Sequence, residues 1–364
     1  DAPHRLFALP TLLRFALGFM QAASSSTADA VVGRGGGGGS AGCEDPSTIT
    51  CAICFDDFSE VTELPCHCKI DYCNRCWDRA LAQSMNNVGA ARCPTCRCKV
   101  RVDFDAERCR LMFSRETDDI PDFHELNQRA AAIRDKEKRR GQGRGRGSAS
   151  RERDAEMHQL EKDHERLLKA RDEVIERLAQ QAVPAQVRIL KQHTERNPSL
   201  LDVVKDPEGS LAEVSSKDLQ GHIEALDGQC DAGADRAKVM QALRDAAGGY
   251  DGAIASYWAF AGGGDVPKCV CGAAFKRMTG PQRLLKYLDG AIPNIPRGSE
   301  RFEQLRQQLS KDGKSGAVCD VCEKQPPLSC AVWTCESGSQ TILHAMCYDV
   351  CDRCFALHAL ACEI

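Results

Sequence analysis

Apolar positions recur with helical period over part of the chain and lose all period elsewhere. From Asp122 to Gly141 breakers are few, and a helix is expected. A second helix is expected from about Ala149 to Gln181, with Met157, Leu160, Leu167, Val174 and Leu178 at heptad-like spacing and an end before Pro184. His164 and Arg171 fall where a coiled-coil seam would need apolar residues, which favours a packed or solvated amphipathic helix over a coiled coil. Residues 214–247 predict two short helices, SKDLQGHIEAL and RAKVMQALRDA, joined by a Gly-containing turn. Leu219, Ile223, Leu226, Val239, Met240 and Leu243 would form their small core. The apolar run Leu6 to Met20 is broken by Pro10 and Arg14 and is too short to span a bilayer, which leaves it as a candidate targeting remnant.

Between these segments lie stretches that bury nothing. Residues 21–47 are rich in Ala, Ser and Gly, with GRGGGGGS at Gly33 to Ser40, and GQGRGRGS occupies Gly141 to Ser148. Both read as flexible links. A length of 364 residues accommodates two or three folded units. The formal charge of −4 supplies no global pull toward nucleic acid or acidic membranes. One local exception is Arg129 to Arg153, with ten basic residues against three acidic ones.

The 22 cysteines change the picture, because eleven fall between Cys43 and Cys109, one stands alone at Cys230, and ten fall between Cys269 and Cys362. Such clusters read as metal-bound thiolates in a reducing intracellular compartment, cytoplasm or nucleus. In the first cluster four pairs stand out: Cys51/Cys54, Cys66/Cys68, Cys73/Cys76 and Cys93/Cys96. Each pair supplies half of a tetrahedral zinc shell, so the eight cysteines suffice for two closed, structural Zn2+ sites. Four pairs can combine in three ways, and spacing alone does not choose among them.

The order of these pairs, separated by eleven, four and sixteen residues, resembles the RING finger of ubiquitin ligases. The resemblance implies a cross-brace in which Cys51, Cys54, Cys73 and Cys76 share one zinc and Cys66, Cys68, Cys93 and Cys96 share the other. It also implies a face that docks a ubiquitin-conjugating enzyme, with Ile53, Trp77 and Pro94 as apolar contacts and Arg97 bracing the charged ubiquitin thioester. Two departures bear on the second site: Cys68 stands where the family usually has histidine, and four residues precede Cys73. His67 or Cys98 is therefore an alternative ligand there. The later cysteines do not follow in the register of a RING-between-RING ligase, and no cysteine stands out as a thioester-forming nucleophile.

In the second cluster CDVCEK (Cys319, Cys322) and YDVCDRCF (Cys351, Cys354) complete one further zinc site. YDVCDRCF is similar to the second knuckle of ZZ-type zinc fingers, which implies recognition of a peptide tail through an acidic surface carrying Asp349 and Asp352. Ligand counting allows another ion on Cys335, His344 and the pair Cys269/Cys271. The alternative for Cys269, Cys271 and Cys330 is ordinary free thiols. The helix pair at 214–247 faintly resembles a SAP-type nucleic-acid-binding module, though a generic helical hairpin accounts for it.

The expected fold is multidomain and mainly α, with small zinc-stabilised α+β modules. Residues 1–47 would be a disordered leader and linker, 48–102 a RING-like cross-brace, 120–182 a basic helical region, 184–260 a small helical domain and 265–364 a C-terminal zinc finger. The expected activity is that of a RING-type ubiquitin ligase. Its front module would recruit the conjugating enzyme and its later modules the protein substrate, with no covalent intermediate. The alternative is a non-enzymatic adaptor binding protein or, through the basic stretch, nucleic acid.

Overall fold

The computed structural model describes residues 49–59, 63–118, 120–140, 148–196, 206–247, 251–261, 266–344 and 347–362. The leader and linker expected at 1–47, and Gly141 to Gly147 of the second link, lie outside the described residues. About half of what is described is helical, and three small antiparallel sheets account for the strands.

The first cysteine cluster is built on short elements. Strands β1 (Ile49–Thr50) and β2 (Asp57–Phe58) pair around the first knuckle, and helix α1 (Asn74–Val88) follows. Helix α1 buries Trp77, Leu81, Ala82 and Met85, one stripe at helical spacing. It stops at Gly89, whose left-handed φ of 78° lets its amide return to the Met85 carbonyl. A hairpin of β3 (Val100–Asp105) and β4 (Arg110–Arg115) closes the module. Trp77 stacks on Tyr72 and meets the edge of Phe113, so these aromatics form a miniature core beneath the cysteines.

Helix α2 (Phe123–Arg140) runs antiparallel to the first half of α3 (Ser148–Glu195), with ion pairs Arg129–Asp163 at 2.6 Å and Lys136–Glu156 at 2.9 Å across the seam. The expected stop before Pro184 is corrected: α3 continues for 48 residues with Pro184 inside it. An interior proline costs roughly 3 kcal/mol, but burial of a leucine returns roughly 1.5–3 kcal/mol. Leu178 and Ala182 before Pro184, and Ala185 and Leu190 after it, are all buried, while Pro184 itself faces solvent. Packing on both sides therefore carries the helix through the break. The boundary expected between residues 182 and 184 falls inside this helix.

Four helices follow: α4 (Pro207–Ala212), α5 (Ser216–Ala225), α6 (Arg236–Ala247) and α7 (Asp251–Ala261). The predicted pair at 214–247 is α5 and α6, with Ser215 capping α5 by accepting from the Asp218 amide and with Leu219, Ile223, Leu226, Val239 and Leu243 buried.

The last region contains β5 (Lys276–Met278), β6 (Val332–Cys335) and β7 (Tyr348–Cys351) in one antiparallel sheet of order β5-β6-β7. Helices α8 (Gly280–Ala291) and α9 (Glu300–Lys311), not anticipated from the sequence, form a hairpin between β5 and β6 around Leu284, Leu288 and Phe302. Helix α10 (Asp352–Ala359) follows β7 directly. Trp258 of α7 stacks on Trp333, which stacks in turn on Phe355 of α10.

Apart from the α8–α9 hairpin, which packs around its own small cluster, one continuous core runs from the first module through α3 to the last. Helix α3 is the common element. Its Gln181 accepts from the Phe104 amide and its Arg177 donates to the Val102 carbonyl, which satisfies the open edge of β3. One turn on, the fully buried Gln186 donates to Lys268 O and accepts from the Val270 amide. The two ends of the chain also touch directly, where the Asp78 carboxylate of α1 accepts from the Ile342 amide at 2.7 Å.

Candidate metal centres

Among the described residues, four groups of side chains bring their ligand atoms within 4.8 Å of one another: Cys51, Cys54, Cys73 and Cys76; Cys66, Cys68, Cys93 and Cys96; Cys269, Cys271, Cys335 and His344; and Cys319, Cys322, Cys351 and Cys354. Every described cysteine is free. Neighbouring sulfurs are 3.7 Å apart for Cys66–Cys93, 3.8 Å for Cys322–Cys351, 3.9 Å for Cys54–Cys73 and 3.6 Å for Cys271–Cys335. A disulfide needs about 2.05 Å. The edge of a tetrahedron whose centre lies about 2.3 Å from each sulfur is about 3.8 Å, which the observed spacings match. For one sulfur and one imidazole nitrogen the same construction gives about 3.6 Å, and Cys269 Sγ to His344 Nε2 is 3.6 Å. The donor sets thus fit zinc in both size and chemistry. With four protein ligands each, they leave no position for water or substrate, which assigns such ions a structural role.

One local device recurs in all four groups. In Cys51/Cys54, Cys93/Cys96, Cys269/Cys271 and Cys319/Cys322 the residue after the second cysteine has a left-handed φ: Phe55 at 61°, Arg97 at 59°, Gly272 at 86° and Glu323 at 57°. Its amide donates back to the carbonyl of the first cysteine at 2.8–2.9 Å. The first cysteine's own amide donates forward to Asp56, Cys98, Ala273 and Lys324 respectively. This closed turn aims both sulfurs to one side. In the first and fourth groups the knuckle is completed by cysteines at a helix N-terminus, Cys73/Cys76 at α1 and Cys351/Cys354 at α10. Unpaired amides and the helix dipole favour thiolate there, and Cys351 accepts from the Cys354 amide. In the second and third groups the knuckle is completed from extended or loop segments, Cys66/Cys68 and Cys335/His344.

Each group crowds thiols whose ionisations oppose one another. Burial opposes ionisation of Cys51, but the amides of Cys54, Cys73 and Ile53 overcome it and bring the thiol down to about 6. Cys96 falls to about 6 through the Cys98 amide, and Cys351 to about 4 through the thiols of Cys319 and Cys354. Cys335 is lowered by Cys269 and Cys271. In each group a partner moves the other way: Cys76 and Cys269 are raised by burial, Cys68 to about 12 by Cys96, and Cys354 by Cys319. Several thiolates at this separation require a shared positive charge, and a divalent ion supplies it.

The pairs interleave in the same way at both ends of the chain. In order of sequence, pairs one and three form one group and pairs two and four the other, both for 51–96 and for 269–354. Cys68 rather than the exposed His67 belongs to the second group. Cys98 lies beside it, its thiol pushed up to about 12 by burial and by Cys96. Cys330 stands outside the groups.

The remaining sequence-named residues divide. Ile53, 42% exposed, and Pro94 and Arg97 are on the surface. Trp77 is not: it is fully buried, because the stripe it belongs to faces the hairpin core, and it cannot meet a partner. Sequence reasoning missed Phe55, which sits on the first knuckle beside Ile53 and is 77% exposed. Its position directly after Cys54 was the available signal. Asp349 and Asp352 do not form an acidic surface either. Both are buried, Asp349 accepting from Arg283 at 2.6 Å and from Thr334, and Asp352 from the Trp333 indole and Arg277. In the basic stretch, Arg129 and Lys136 are engaged by acids of α3. No helix of the described residues is long and apolar enough to cross a membrane. Comparison with family models, with curated proteins and with solved structures returns no match for this chain.

Proposed function

We propose that the chain is a RING-type ubiquitin-protein ligase whose first module, residues 49–115, docks a ubiquitin-conjugating enzyme. The observation that carries this reading is the first knuckle, where Ile53 and Phe55 project outward from a turn closed by Cys51 and Cys54. An aromatic residue held at a left-handed φ and left in water is costly on both counts. A rigid knuckle presenting two apolar side chains offers a partner anchors that need little further ordering. Interleaved cysteine pairs and the exposed Pro94 and Arg97 on the fourth pair's knuckle support the same reading. In this reading zinc builds the docking surface and takes no part in chemistry. The module accelerates transfer by holding the thioester in a reactive geometry, with Arg97 as the cation beside it. The modules after residue 120 select the substrate.

The test is reconstitution of ubiquitin transfer with a panel of charged conjugating enzymes. Wild-type protein should discharge at least one thioester faster than free lysine does. Ile53→Ala should lose that acceleration with zinc content unchanged. Absence of discharge across the panel, or full discharge by Ile53→Ala, refutes the reading.

A further inference from the structure

A cleft of about 930 Å³ opens where the two ends of the chain meet. Helix α1 supplies one wall with Arg75 and Arg79, the turn and start of β4 supply the other with Arg108, Arg110 and Met112, and the Cys271–Gly272 knuckle lies between them. The sequence reading attached no role to any of these arginines.

Charge is the first observation. The four arginines face two lining acids, Glu63 and Asp78, in a chain whose overall charge is −4. Asp78 is already committed to the Ile342 amide. Arg75 and Arg79 are exposed and their side chains make no ion pair or hydrogen bond to any described residue, while Arg108 reaches Asp105 at 3.8 Å and the exposed Arg110 acts on the same carboxylate only through space. Arg75 and Arg79 are also one helical turn apart, a like-charge arrangement that is unfavourable unless an anion sits across it.

Shape is the second. Met112 of β4 gives the cleft an exposed apolar contact, flanked by the half-buried Leu111 and Phe113 and backed by the buried Val270 and Leu343. Met112 is 46% exposed and flexible enough to fit varied side chains. Single-stranded nucleic acid would need aromatic faces on which to stack bases. Here the aromatic lining residues are Phe104, which is buried, and Phe113, which is taken up by Trp77.

We infer that this cleft binds a short acidic peptide segment of another protein, with acidic side chains on Arg75, Arg79 and Arg110 and apolar side chains against Met112. The site exists only while the two ends of the chain are docked. It goes beyond the ligase reading and is tested without any component of ubiquitin transfer.

The experiment is fluorescence anisotropy of a fluorescein-labelled peptide of alternating Glu and Leu, titrated with full-length zinc-loaded protein. Binding should weaken as salt rises and should be absent for a Lys-Leu peptide. Arg79→Glu/Arg110→Glu should weaken binding at least tenfold with zinc content and melting temperature unchanged. Arg134→Glu, on α2 outside the cleft, should leave it intact. Should the double reversal disturb the fold, Arg79→Gln and Arg110→Gln singly should each weaken binding several-fold. The inference is overturned if the Glu-Leu peptide does not bind, if binding survives the cleft variants, or if an oligouridylate of equal charge binds more tightly.

Discussion

Removing the imidazole of His344 is the sharpest probe of the metal reading, because its group mixes donors and draws them from three separated segments: Cys269 and Cys271, Cys335, and His344. A structural zinc in a small domain is worth roughly 10–16 kcal/mol, so one of four ligands accounts for about 3 kcal/mol if shared evenly. At 1.4 kcal/mol per tenfold, His344→Ala should weaken that ion about a hundredfold. The other groups share no ligand with it and should be unaffected. The assay is zinc content by atomic absorption together with release to a chromogenic chelator. Wild-type protein should carry four equivalents that leave slowly. The alanine variant should show three slow equivalents and one fast, and His344→Cys should restore the fourth. Loosening should also reach the neighbouring Ile342–Asp78 contact, seen as faster hydrogen exchange in residues 338–343. Saturation of the wild type at three equivalents, or four slow equivalents in His344→Ala, would refute the reasoning.

Other outcomes follow from single contacts. Gly280→Ala drives a Cβ into the Leu328 carbonyl oxygen, a backbone atom held in place because the Leu328 amide donates to the Gly313 carbonyl. Urea unfolding should show a loss of about 1–3 kcal/mol, the range for overpacking. Arg283→Met leaves Asp349 buried without its cation and should cost about 3–5 kcal/mol by the same measurement, whereas an exposed pair such as Lys136–Glu156 should cost under about 1 kcal/mol when broken. Asp78→Ala strands the Ile342 amide at the contact between the chain ends and should raise local exchange by the equivalent of about 1–3 kcal/mol, whereas Asp78→Asn, which keeps an acceptor, should change it far less. Equal effects of the two Asp78 variants would remove that hydrogen bond from the account.

Local patterns carried the reading of helices and cysteine pairs. Leu219, Ile223, Val239 and Leu243 at helical spacing point to α5 and α6 because amphipathic period is a short-range property that packing then satisfies. The same period misled at Pro184, since a local stop signal says nothing about apolar contacts waiting on both sides of it. Trp77 was legible as a large apolar anchor, but whether it faces out or in depends on the β3–β4 hairpin, and it faces in. Asp349 and Asp352 looked like surface acids because their partners, Arg283 and Arg277, lie about seventy residues earlier in the chain.

By itself the sequence determined which atoms can bind metal, because thiolate and imidazole chemistry belongs to the side chain and a tight turn brings each pair's ligands together. Which pairs share a centre was decided only in three dimensions, since a tetrahedral ion joins segments that no local rule connects. Ligand counting only allowed His344 beside Cys269, and a resemblance only implied the interleaving of the first cluster; the tertiary structure brings both sets of ligand atoms together and adds the same interleaving at the far end. The arginine-lined cleft also belongs to the tertiary level: its arginines come from the first module and its lining at Val270 and Leu343 comes from more than 150 residues further along the chain, brought together by α3 and the Asp78–Ile342 contact.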